Sequence, residues 1–218
     1  MYLAGSFAVT APITDIEVVG ARHVAVARAR TITELAGRPL FHASAAEARA
    51  ALLRDPAVRE ARVELFFPDA RARIALAERE AAGRWVVGAL EWFVDADGVL
   101  FRSDDPSAAP SLRVRDLRAG QRTAGDRVDP SLVAATMRLA KIAPGELRGD
   151  ATAPAVRVEA GANGIVLASG AGWEIRFGTA DRIDEKLALA ERFLREQPSR
   201  RLEYVDVRSA DRIVFSPQ

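Results

Sequence analysis

A chain of 218 residues, 49% hydrophobic and 28% charged, is long enough for two ordinary domains and too apolar to be disordered. With 31 basic against 30 acidic residues the net charge is only +1, and the two signs interleave, as in Arg59-Glu60-Ala61-Arg62-Val63-Glu64; this is not the basic surplus of a nucleic-acid binder. No cysteine is present, which excludes disulfides, thiolate metal sites and a cysteine nucleophile. Lys141 and Lys186 are the only lysines among the basic residues, a bias we read as genome composition. No run of about 18 apolar residues marks a complete membrane-spanning helix. The opening Met1-Tyr2-Leu3-Ala4-Gly5-Ser6-Phe7-Ala8-Val9 is apolar and uncharged but lacks a basic start, so it is a poor signal peptide. Two readings of it stand open: the tail of a membrane anchor, or an ordinary first strand.

From Ile13 to Val19 apolar and polar residues alternate, a strand pattern that Gly20 closes. Val24 to Ala36 has apolar residues at helical spacing, with Gly37 as the stop. Ser44 and Glu47 have the spacing of a capping box, and the helix they open ends at Asp55-Pro56. Val58 to Phe67 and Ala70 to Glu78 read as strands joined by a turn at Pro68-Asp69. Arg84 to Val94 is β-rich, and Asp95-Ala96-Asp97-Gly98 turns it into a hairpin with Val99-Leu100-Phe101. Residues 103–111 form a polar loop. Asp129-Pro130 starts a helix that runs to about Ile142. Three short strands occupy residues 155–177. Asp181 caps a last helix with the stripe Ile183, Leu187, Ala190 and Leu194, ended by Gln197-Pro198. Leu202 to Arg208 and Asp211 to Ser216 are the closing strands. The predicted class is α+β: a small βααββ domain (11–80), then a larger, mainly antiparallel β domain with two helices (81–218).

Reactive constellations are missing from this pattern. His23 and His42, the only histidines, are too few for a histidine-ligated metal. Asp95-Ala96-Asp97-Gly98 starts like a calcium loop, but its glycine comes too early and Pro106 stands where a bidentate Glu is needed. The glycines near 161–172 have no Gly-Lys-Ser/Thr sequel, and no Gly-x-Ser-x-Gly elbow occurs. Asp104-Asp105 and Asp184-Glu185 fit a polar loop and a helix N-terminus. No catalytic residue, metal site or cofactor is therefore expected, and the chain is read as a binding protein and not an enzyme.

The order of motifs resembles a known family. Residues 13–78 are similar to a POTRA domain, and their wording resembles the FtsQ/DivIB proteins of bacterial cell division. The matching pieces are Ile16-Glu17-Val18-Val19-Gly20, Gly37-Arg38-Pro39-Leu40-Phe41, the stretch from Asp55-Pro56-Ala57-Val58 to Phe67-Pro68, and Ala77-Glu78-Arg79 followed by Trp85. Beyond them come the hairpin Val94 to Phe101, then Phe177-Gly178, Lys186-Leu187 and Tyr204-Val205-Asp206-Val207-Arg208. The resemblance implies a single-pass cell-membrane protein whose extracytoplasmic part, seen here without its anchor or with a truncated one, joins the division septum. It implies two coiled-coil partners, FtsB/DivIC-like and FtsL-like, a role in regulating septal peptidoglycan synthesis, and other divisome contacts through the POTRA domain. In the family the partner adds a strand to the last strand of the β domain. Carried onto this chain, that places Lys186, Tyr204, Asp206, Arg208, Arg212, Ile213, Val214 and Phe215 at the partner site. Strand alternation points Ile213 and Phe215 one way and Arg212 and Val214 the other. Two other functions compete. A POTRA protein of envelope secretion or assembly would carry a transmembrane barrel, and an envelope hydrolase would show convergent carboxylates with shifted pKa values.

Overall fold

The computed structural model describes residues 11–118 and 120–217; the apolar opening lies outside them. The chain divides into two compact units. One takes the described residues up to Glu80 together with Phe101–Ala109, and the other takes Ala81–Leu100 and the residues from Pro110 onward.

The first unit contains β1 (Asp15–Val19), α1 (Val26–Thr33), α2 (Ala45–Leu52), β2 (Val58–Phe66) and β3 (Arg71–Glu78). β3 lies between the other two strands, parallel to β1 and antiparallel to β2. Its alternation decides its faces: Ala72, Ile74 and Leu76 are buried, while Arg71 and Arg73 are exposed. Ser44 caps α2 by accepting the Glu47 N–H at 3.2 Å. Helix α1 is shorter than the apolar spacing predicts. After Thr33 the backbone turns left-handed at Glu34 (φ 52°), and the following residues bond to the segment just before β1 instead. Gly37 N–H donates to the Ile13 carbonyl at 2.8 Å, and Ile13 N–H donates to that of Arg38 at 3.0 Å. Gly20, in the left-handed region at φ 79°, is fixed by sterics, since a Cβ there would lie 2.1 Å from the Leu76 carbonyl oxygen.

The return of residues 101–109 to this unit was not legible in the sequence. Asp104 takes the place of an N-cap for α1, accepting the Ala25 N–H at 2.9 Å and pairing with Arg28 at 2.9 Å. Arg28 also pairs with Asp55. Just before α1, one carboxylate, Glu78 at the end of β3, accepts the N–H groups of Arg22 (3.0 Å), His23 and Val24 (3.0 Å).

The second unit is built on β4 (Gly83–Val87), β5 (Leu90–Val94), β6 (Leu100–Phe101), β7 (Arg113–Asp116), β8 (Ala155–Val158), β9 (Ile165–Ala168), β10 (Glu174–Gly178), β11 (Tyr204–Asp206) and β12 (Val214–Ser216), with helices α3 (Pro130–Ala140) and α4 (Ile183–Glu196). The nine strands form one sheet in the order β12-β11-β10-β9-β8-β7-β4-β5-β6. Three of its ladders are parallel, β4/β7, β7/β8 and β10/β11, among antiparallel ones. One apolar cluster joins Trp85, Val114, Val156, Leu167, Ile175 and Val205 of the sheet to Leu139 of α3 and Leu187 and Leu194 of α4. Burying each of the larger side chains contributes about 1.5–3 kcal/mol relative to exposure.

Three expectations differ from the structure, and one strand was not anticipated. The β-rich stretch from Arg84 to Val94 is two strands, because Val87 pairs with Leu90 across a turn at Gly88-Ala89. Strand β7 carried no expectation, since its buried residues Val114 and Asp116 alternate with two arginines; Asp116 accepts the buried Trp85 indole N–H at 3.0 Å. Asp181 does not cap α4. The capping position is Arg182, left-handed at φ 51°, and the Asp181 carboxylate instead accepts the Thr179 hydroxyl. The last two strands are shorter than predicted, at three residues each.

Candidate partner-binding edge

Strand β12 is the first strand of the sheet order, so it has a neighbour on one side only among the described residues. It pairs antiparallel with β11 in the register Tyr204↔Ser216, Val205↔Phe215 and Asp206↔Val214. Residues 208–211 form the turn between β11 and β12, and 212–213 stay out of the ladder. Arg182 at the start of α4 reaches Asp211 at 3.2 Å and Glu185 at 2.6 Å. Hydrogen bonds from the Arg182 guanidinium hold the Glu185 carboxyl below its ordinary range.

Register and pleat sort the expected residues onto two faces. On one, Tyr204, Asp206, Arg208, Arg212 and Val214 line a single open groove of about 500 Å³, with Gly178 and Thr179 as its far wall. Val214 is 45% exposed. The Arg176 guanidinium lies 3.9 Å from the centre of the Tyr204 ring. Asp206, only 9% exposed, accepts the Arg208 backbone N–H at 3.0 Å and pairs with its guanidinium at 2.6 Å. Burial pushes the Asp206 carboxyl up, but the hydrogen bonds from Arg208 outweigh it and hold the group below the usual carboxylate range.

On the other face Ile213 and Phe215 are half-buried against the apolar cluster. The Phe215 ring lies 5.1 Å from that of Phe193 on α4, and the Arg200 guanidinium covers it at 4.3 Å. Phe215 is thus a packing residue as well as an edge residue.

Lys186 is placed inside, not on the surface. It is 1% exposed, donates to the Thr179 carbonyl at 3.1 Å and lies 3.5 Å from the Asp181 carboxylate. Its position pins the Thr179–Asp181 turn that walls the groove. Reasoning from the sequence missed Arg176, Phe193, Arg200 and Thr179. Only Arg176, polar between the apolar Ile175 and Phe177, carried a local signal of facing outward.

Among the described residues no three histidine or carboxylate side chains gather as metal ligands do. Arginine and tryptophan donors hold the Asp116 and Asp150 carboxyls below their ordinary range, although burial alone would raise both. Such groups are ionised hydrogen-bond acceptors at neutral pH. No helix among the described residues is long and apolar enough to cross a membrane.

Comparison with known proteins agrees with this architecture. Residues 11–79 match the family model for the POTRA domain, FtsQ-type, and residues 83–208 match that for cell division protein FtsQ/DivIB, C-terminal. Cell division protein FtsQ of Chloroflexus aurantiacus is 30% identical over 178 residues, which is 81% of this chain and 64% of that protein. The protein of the same name from Chloroflexus aggregans is 32% identical over 138 residues, 62% of this chain and 50% of its own length. The chain thus spans between half and two thirds of the length of these relatives. With both of its units matched in order, and the C-terminal model alone covering more than half of its residues, the chain belongs to the FtsQ/DivIB family of cell-division proteins.

Proposed function

We propose that this chain is the extracytoplasmic part of a membrane-anchored, non-enzymatic scaffold at the division septum. In this reading the free side of β12 receives a strand from a small bitopic coiled-coil partner, FtsB/DivIC-like, which brings an FtsL-like protein with it. The assembled complex then helps to regulate septal peptidoglycan synthesis. The observation that carries the reading is the position of β12 at the end of the sheet order, bordered by the groove. An edge strand offers backbone donors and acceptors that an incoming strand can use, and alternate side chains then read the two faces. Val214, Tyr204, Arg208 and Arg212 flank the added strand on the groove side, with Asp206 orienting Arg208 from beneath. Ile213 and Phe215 meet it on the other. Lys186 supports the groove from inside through Thr179.

A titration of the chain with the extracytoplasmic segment of the FtsB-like protein from the same genome tests this. Val214→Asp puts a charge on the groove face at an exposed position, and binding should weaken at least tenfold, about 1.4 kcal/mol. Unchanged affinity for a folded Val214→Asp chain would move the site away from β12.

A further inference from the structure

The first unit carries an exposed aromatic patch outside its core. Phe41 is 72% exposed, Phe67 61% and Phe66 37%, whereas neighbouring Leu40 is buried. Their positions share one end of the unit. Asp15, the first residue of β1, pairs with Arg71, and Arg71 pairs with Phe66 across the β2–β3 turn. Just before β1, Pro12 bridges to Pro39, and Leu40 N–H donates to the Ala11 carbonyl at 3.1 Å. Phe41, Phe66 and Phe67 therefore ring the point where the chain enters the unit. The ten residues preceding Ala11 contain no charged side chain.

We propose that this end of the first unit rests on a lipid bilayer, with Phe41, Phe66 and Phe67 seated among the headgroups. Phenylalanine rings on an otherwise polar surface bury to the boundary of headgroups and acyl chains, and the uncharged segment that joins the unit beside them favours the same depth. The basic residues nearby are already paired. Arg38 lies 3.5 Å from Glu34 and 4.0 Å from Glu47, and Arg71 lies 3.4 Å from Asp69 with its guanidinium 5.6 Å from the centre of the Phe66 ring. The attraction is accordingly apolar, so it needs no anionic lipid and changes little with salt. The inference rests on the proposed membrane-anchored reading only for the nearness of a membrane; strand addition at β12 does not enter it.

Because the chain has no cysteine, single cysteines can be labelled uniquely. His42→Cys and Asp69→Cys put an environment-sensitive dye beside the phenylalanines, and Ala77→Cys puts one at the far end of β3; all three sites are exposed. Each labelled chain is tethered by an N-terminal histidine tag to phosphatidylcholine vesicles containing a nickel-chelating lipid. The dye at 42 and 69 should shift to the blue and the dye at 77 should not. Adding Phe41→Ser and Phe67→Ser should abolish the shift, each change weakening seating roughly tenfold. No shift at 42 and 69 in the tethered chain, or an equal shift at all three sites, overturns the proposal. Partner binding at β12, titrated separately without vesicles, reports on the divisome reading alone.

Discussion

Gly98 and His23 show how single residues constrain this chain. Gly98 closes the β5–β6 turn at φ 79°, and a Cβ there would lie 1.9 Å from the Val128 carbonyl oxygen. The Asp-x-Asp-Gly turn was readable because its chemistry is local: the Asp95 carboxylate accepts the Val99 N–H at 2.7 Å. His23 was not readable. It is buried, its ring meets Phe101 edge-on at 5.2 Å, and its Nδ1 lies 3.1 Å from the Ser103 hydroxyl, 80 residues away. Burial lowers its pKa, with Arg22 adding to the effect and Glu78 and Asp105 opposing it. The folded state therefore takes up a proton less readily than the unfolded chain. Its contribution is complete at pH 7.5 and declines as pH falls below about 6.5. We expect the urea midpoint to drop between pH 7.5 and 5.5, and His23→Phe to flatten that slope; an unchanged slope would contradict this role. The buried carboxylates act in a separate window, because groups held down, such as Asp116 and Asp206, lose their contribution only as pH falls below about 4.

At the scale of elements, signals confined to a few residues were legible. Asp129-Pro130 opens α3 as expected, with the Asp129 carboxylate accepting the Ser131 N–H at 2.8 Å. Pairings that join distant segments were not. Nothing near Arg113 announces a strand, since β7 exists only because β4 and β8 lie on either side of it. Alternation put Ile213 and Phe215 on one face of β12 and Arg212 and Val214 on the other, but it could not show that the turn runs on to Asp211, where Arg182 meets it, and leaves only three residues in the strand. This geometry separates packing from binding. Phe215→Asp should cost about 2–4 kcal/mol by placing a charge against Phe193 and the core. Val214→Asp should stay within about 0.5 kcal/mol. Chemical denaturation of the two variants checks this, and equal losses would mean that Val214 is a packing residue too.

For the whole molecule, the family and the α+β class could be recognised from the sequence because each motif keeps its order along the chain. The sheet order could not, since three of its ladders are parallel and join strands well apart in sequence. Lys186 illustrates the same boundary: its place on the amphipathic α4 was visible, but its burial against Thr179 depends on how β10 leads into that helix. The central claim concerns the free side of β12, and hydrogen–deuterium exchange across the whole chain, with and without the FtsB-like segment, tests it most directly. An added strand should slow exchange in the peptides covering Val214–Ser216 while leaving the first unit unchanged. Protection elsewhere with none at Val214–Ser216, under conditions where the segment is bound, would contradict the account.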